Sequence, residues 1–82
     1  MNIDQIKERV LSTFTDAYVE VTDMTGTSDH IQLLVVTEKF AGQSRLERQR
    51  MVMDVFQPEL KTGEVHALTI RAITHTEKNK AV

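Results

Sequence analysis

At 82 residues the chain has room for one hydrophobic core and no second domain. Its net charge of −2 and pI near 5.9 exclude a surface that coats nucleic acid throughout. The lack of cysteine excludes disulfides, thiolate nucleophiles and Cys-type zinc sites. No run of about 18 apolar residues suits a membrane span, and no basic segment leads into an apolar one as in a secretory signal. The expected address is cytoplasmic.

In chain order, NIDQIKERVLSTF over residues 2–14 sets Ile3, Ile6, Val10, Leu11 and Phe14 at helical spacing. Asn2 or Asp4 caps that helix. YVEVTD then alternates, with Val19 and Val21 opposite Glu20 and Thr22, which predicts a half-exposed edge strand. MTGTSD reads as a loop around Gly26. The stretch HIQLLVV is apolar on both parities and predicts a central strand with something packed on each side.

FAGQS follows, with Gly42 as a turn residue and Ser44 three positions before Glu47. Ser-x-x-Glu is a capping box, so a helix is expected to begin at Arg45, with Leu46, Val52, Met53 and Phe56 on its apolar arc. Pro58 suits the first turn of a further short helix, which Thr62-Gly63 stops. VHALTIRAIT predicts the last strand. The polar stretch from residue 75 to 82 reads as a disordered tail after a domain spanning 1–74.

The expected order is helix, strand, strand, helix, helical turn, strand. A helical crossover between the second and third strands makes them parallel. The expected fold is α+β: a three-stranded mixed sheet covered on one face by helices.

Parallel strands begin at the same end of a sheet. His30 opens the second strand and His66 lies near the start of the third, which brings two imidazoles to one rim. Two neutral imidazoles form a borderline-soft pair suited to zinc, copper or iron. Two ligands leave a metal under-coordinated, so a partner would have to complete the shell. A histidine at a strand start is also a common structural residue. Lys39, Arg45, Arg48 and Arg50 form a local basic group, a candidate surface for a protein partner or nucleic acid. No Gly-rich phosphate loop, His-Glu-x-x-His or nucleophile elbow is present, so no enzyme is expected.

With these elements placed, the chain resembles the BolA-like family from about Ile6 to Thr74. The matching pieces are VEVTD, SDHIQLLVV, TEKFAGQSRLERQRMV and VHALTI, in the family's order and spacing. The resemblance implies a class II KH-like fold of α-β-β-α-α-β order. It also implies a non-enzymatic adaptor that pairs with a monothiol glutaredoxin around a shared [2Fe-2S] cluster, in iron–sulfur assembly, trafficking or iron sensing. On this side the cluster ligand is the histidine of the H-A-L strand, His66. The family's usual second ligand sits in the first inter-strand loop, and here residues 24–29 hold neither Cys nor His; His30 follows directly and matches the S-x-H histidine. Gln49 stands where the family has the middle histidine of R-H-R, and THTEK replaces T-P-x-x-W, which suggests a short-loop, bacterial-type member. Some BolA-like proteins are DNA-binding transcriptional regulators of stress or morphology genes, which is the alternative reading. Alone, a monomer or weak homodimer without a cofactor is expected.

Overall fold

β2 (His30–Val36) organises the sheet, because Ile31, Leu33 and Val35 all point to one face and are buried there. The computed structural model describes residues 2–24, 26, 30–65 and 67–80, and of Lys80 the backbone only. Antiparallel to β2 runs β1 (Tyr18–Asp23), and parallel to it on the other edge runs β3 (Ala67–Ile73). Val19 and Val21 from β1 and Leu68, Ile70 and Ala72 from β3 complete the apolar face.

Helices cover that face. α1 (Ile3–Thr13) starts at Asn2, which forms a reciprocal capping box with Gln5, and it buries Ile6 and Val10 against β1. α2 (Arg45–Met53) starts at Ser44, whose hydroxyl accepts the Glu47 N–H at 3.1 Å. A 3₁₀ turn over Asp54–Phe56 leads into α3 (Gln57–Thr62), with proline in its first turn. Gly63, at φ 81°, closes α3 in the left-handed conformation that a side chain disfavours. Phe14 and Phe40 meet at 5.4 Å between ring centroids, and Phe56 is fully buried beside them in the core.

Polar clasps join the layers. Arg9 of α1 grips Glu59 of α3 through two bonds of 2.9 and 3.0 Å and also donates to the Val55 carbonyl. This bond drives the Glu59 carboxyl below its ordinary pKa and raises that of Arg9. After β2, the buried Thr37 hydroxyl donates to the Asp16 carboxylate at 2.8 Å, which lowers the Asp16 pKa, and accepts the Lys39 N–H.

The predicted order is observed and is compatible with the KH-like expectation, with four corrections. Among the described residues, no helical layer covers the second face of β2 along most of its length. Gln32 is exposed and Leu34 half-buried, and only Val36 at the far end is fully covered. On α2, Leu46 is 60% and Met53 38% exposed, so the buried arc is narrower than expected and runs through Val52. β3 begins at Ala67, after a buried Val65, and ends before Thr74.

The fourth correction concerns the tail: residues 75–80 form α4 (His75–Lys80). Thr74 and Glu77 build another reciprocal box, Glu77 N–H to the Thr74 hydroxyl at 3.2 Å and Thr74 N–H to Glu77 Oε1 at 2.8 Å. The ammonium of Lys78 sits 3.9 Å over the ring of Tyr18, the register partner of Val36, which is how the tail covers that end of the open face. Residues 81 and 82, His66, and the loop positions 25 and 27–29 lie outside the described residues.

The narrower arc has a measurable consequence. Leu33→Ala should cost about 2–5 kcal/mol of unfolding free energy through transfer and cavity terms. Leu46→Ala should stay within about 0.5 kcal/mol of wild type, as for an exposed surface position. Urea denaturation of both variants checks the assignment; comparable losses would contradict it.

Candidate functional site

The two ends of the sheet carry different chemistry. At the starting end of the parallel pair, His30 is the register partner of Ala67, so the two strands begin at the same end of the sheet. Along β2 the open-face positions alternate from His30 through Gln32 and Leu34 to Val36, and His30 is exposed. His66, the other half of the expected pair, lies outside the described residues and is followed directly by Ala67. Among the described residues no group of three or more His, Asp or Glu could hold a metal alone. With no cysteine in the chain, its donors at this rim could fit a metal cluster only as part of a shell shared with a partner.

The four residues of the basic group stand in different settings. Lys39 sits in the 3₁₀ turn Glu38–Phe40 just after β2, at the opposite end of that strand from His30. At about 3.3 Å per residue, a seven-residue strand separates those ends by about 20 Å. Arg50 is exposed on the outer side of α2, 3.6 Å from Glu47. Arg45 is the first residue of α2 and is exposed.

Arg48 is a different kind of residue from the other three. Its guanidinium pairs with Glu77 at 2.7 and 3.3 Å and donates to the Gln43 carbonyl at 3.0 Å and the Ala72 carbonyl at 3.2 Å. Its side chain is only 14% exposed. Next to it, Gln49 donates to the Ile70 carbonyl at 2.8 Å. Both acceptors lie on the outer edge of β3, which no strand covers, so α2 closes this edge with two side chains. From the sequence, Arg48 belongs to a basic surface group for a protein partner or nucleic acid, and Gln49 has no role. Their spacing carries no sign of a strand edge that only the fold brings near.

Between α2 and this edge lies a groove of about 680 Å³, its walls including Arg45, Arg48, Arg71, Gln32, Thr69 and Glu77. Arg71 was not among the expected site residues. Its signal was available: the one charged side chain in an otherwise uncharged strand, at a position facing away from the core.

The Arg48 bond, followed by the Thr74 N–H, holds the Glu77 carboxyl down to about 2. A depressed carboxyl stabilises its surroundings fully above its unfolded value near 4.5 and loses that contribution as pH falls through the folded value. Amide signals of α4 should therefore stay protected from pH 7 down to about 4 and weaken only towards 2. In Arg48→Gln the loss should move up towards the ordinary carboxylate range, whereas Arg50→Gln should leave the profile unchanged. Identical profiles for Arg48→Gln and wild type would show that α4 does not depend on this pair.

Comparison with known proteins completes the site. A family model described as BolA-like protein matches residues 10–77. An uncharacterized protein in the rpoN-murA intergenic region of Acinetobacter guillouiae is 38% identical over 81 residues, covering 99% of this chain and 94% of that protein. The DNA-binding transcriptional regulator BolA of Escherichia coli K12 is 30% identical over 81 residues, covering 90% of this chain and 76% of its own length. Among solved structures, a bol-like protein from Babesia bovis superposes with a TM-score of 0.85 at 26% identity, over 99% of this chain and 93% of that one. Among the described residues, no helix is long and apolar enough to cross a membrane.

Proposed function

The chain belongs to the BolA-like family, and from that membership we propose that it is a cytoplasmic, non-enzymatic adaptor that pairs with a monothiol glutaredoxin around a shared [2Fe-2S] cluster. The observation that carries this reading is the pairing of His30 with Ala67. His30 of the S-x-H motif and Ala67 of the H-A-L motif are thus partners where two neighbouring parallel strands begin, and the His30 side chain is exposed. His66 is the ligand offered by the H-A-L motif, and His30 is the candidate second ligand. Neutral imidazole is a suitable donor to iron, and histidine in place of cysteine at a [2Fe-2S] centre raises its potential. Two histidines cannot complete the cluster's shell, so the remaining ligands have to come from the partner.

The chain's own contribution is orientation. Backbone pairing of β2 with β3 fixes the spacing between the first residues of the two strands. The helices behind the sheet hold that pairing rigid. The isolated protein then carries no cofactor and acquires one only in the complex, as a monomer or weak homodimer before it meets its partner.

Titrating the protein into a cluster-loaded monothiol glutaredoxin, followed by visible absorption and circular dichroism, tests this. A new spectrum saturating at one-to-one is expected, altered in His66→Ala and, to a smaller degree, in His30→Ala. An unchanged spectrum in His66→Ala would remove it as a ligand.

A second reading, nucleic-acid binding, is favoured by one specific finding: a relative of 30% identity is named a DNA-binding transcriptional regulator. For this chain the basic group Lys39, Arg45, Arg48 and Arg50, on the 3₁₀ turn after β2 and on α2, is the surface that could serve it. Such binding would weaken steeply with salt.

A further inference from the structure

We propose that Met24 and His30 together bind copper(I) on the open face of the sheet, as a thioether–imidazole pair. The pair works in the isolated chain and draws on neither a glutaredoxin nor a cluster.

Placement is the first argument. The register of β1 against β2 runs from Tyr18 opposite Val36 to Asp23 opposite Ile31, and one step further sets Met24 opposite His30. The pairing does extend that far, because the Met24 N–H donates to the His30 carbonyl at 3.0 Å. Met24 continues the parity of Tyr18, Glu20 and Thr22, and His30 shares that of Gln32, Leu34 and Val36. The other parity, Val19 and Val21 with Ile31, Leu33 and Val35, is the one packed in the core. The thioether and the imidazole thus start from opposite positions on one face. Residues so paired hold their Cβ atoms about 4.5–5.5 Å apart. A metal that takes sulfur at about 2.3 Å and nitrogen at about 2.0 Å, as zinc does, spans donors about 4 Å apart. Two flexible side chains reach that separation.

Availability is the second. Met24 is 61% exposed and takes no part in the core. His30 is exposed, and its imidazole has no hydrogen-bond or ion-pair partner among the described residues. Their described neighbours on the open face, Thr22, Gln32 and Ala67, carry no charge, so none of these repels a cation.

Donor chemistry supplies the third. Thioether sulfur is absent from the usual donors of zinc, magnesium and calcium. Soft sulfur favours copper(I), and imidazole suits copper as well. Copper(I) also tolerates a low coordination number, so a pair of ligands does not need the full shell that zinc demands. The chain has no cysteine, so no thiolate of its own competes with the thioether for the ion.

Anaerobic titration of copper(I) into the full chain at neutral pH, against a chromophoric copper(I) chelator, tests the proposal. One ion per chain is expected, with the Met24 methyl and His30 ring signals shifting together in NMR spectra. Met24→Leu and His30→Gln should each weaken binding by about 100-fold, the upper end of what loss of a supporting contact costs a metal site. Both side chains are exposed, and circular dichroism checks that the variants fold. Met53→Leu on α2 and His75→Gln at the start of α4 should bind as wild type does.

Wild-type affinity in both Met24→Leu and His30→Gln would remove the site. Loss in His30→Gln but not in Met24→Leu would leave an imidazole site without the thioether and overturn the pairing. Zinc(II) binding more tightly than copper(I), with the same dependence on both residues, would overturn the soft-metal assignment. A wild-type chain that takes no copper(I) from the chelator would sink the proposal outright.

Discussion

Among the described residues, β2 is the one strand whose backbone is paired on both sides, and the rest of the chain is arranged by what that pairing requires. Its antiparallel neighbour needs only a loop, so β1 precedes it directly. Its parallel neighbour needs a crossover long enough to return the chain to the starting end. α2, the 3₁₀ turn after it and α3 are that crossover, and α2 and the turn also bury Val52 and Phe56 in the core. A parallel pair with a single crossover leaves the outer edge of β3 uncovered. α2 runs back along this edge, Arg48 reaching Ala72 and Gln49 reaching Ile70, and supplies the donors that no strand provides.

Local signals in this chain were strong wherever one residue type satisfies a backbone need. Asn2 with Gln5, Ser44 before Glu47, Pro58 and Gly63 each fix an element end by satisfying or tolerating a specific backbone state. The strand alternation of YVEVTD was equally legible, because one face meets the core and the other meets water. α4 begins in the same language: Thr74-His75-Thr76-Glu77 has the spacing of the Ser44–Glu47 pair, and here both bonds of the capping box form, whereas at Ser44 only the hydroxyl's bond to the Glu47 N–H does. No apolar run follows it, so the spacing alone does not separate a helix from a polar tail. α4 is instead held by an ion pair and a cation–π contact, and neither has a periodicity.

Tertiary roles were the part that spacing could not carry. Leu46 and Val52 both look like core residues on a helical wheel, yet Leu46 is exposed and Val52 is not. Arg48 and Gln49 bond to carbonyls of β3, so the side of the helix that meets the sheet carries those polar anchors as well as Val52. The same bonds remove Arg48 from the basic group in which its sequence neighbours placed it. Conversely, Arg71 joins Arg45 only because β3 and α2 lie side by side. A cationic groove assembled from two elements leaves no local motif.

The two candidate surfaces draw on different residues, and this constrains how they relate. The His30 rim belongs to the starting end of the parallel strands and offers neutral imidazole to a soft or borderline metal. Arg45 and Arg48 of the basic group line the groove that follows the outer edge of β3 towards its far end, where α4 docks. α4 takes the groove's most buried guanidinium and leaves two outside, so the C-terminal segment sets how much positive charge the groove presents. A partner held at the rim need not cover Arg45, and a nucleic acid held by the basic group need not approach His30. The fold thus permits both readings to hold in one molecule, with α4 as the element whose docking bears on only one of them.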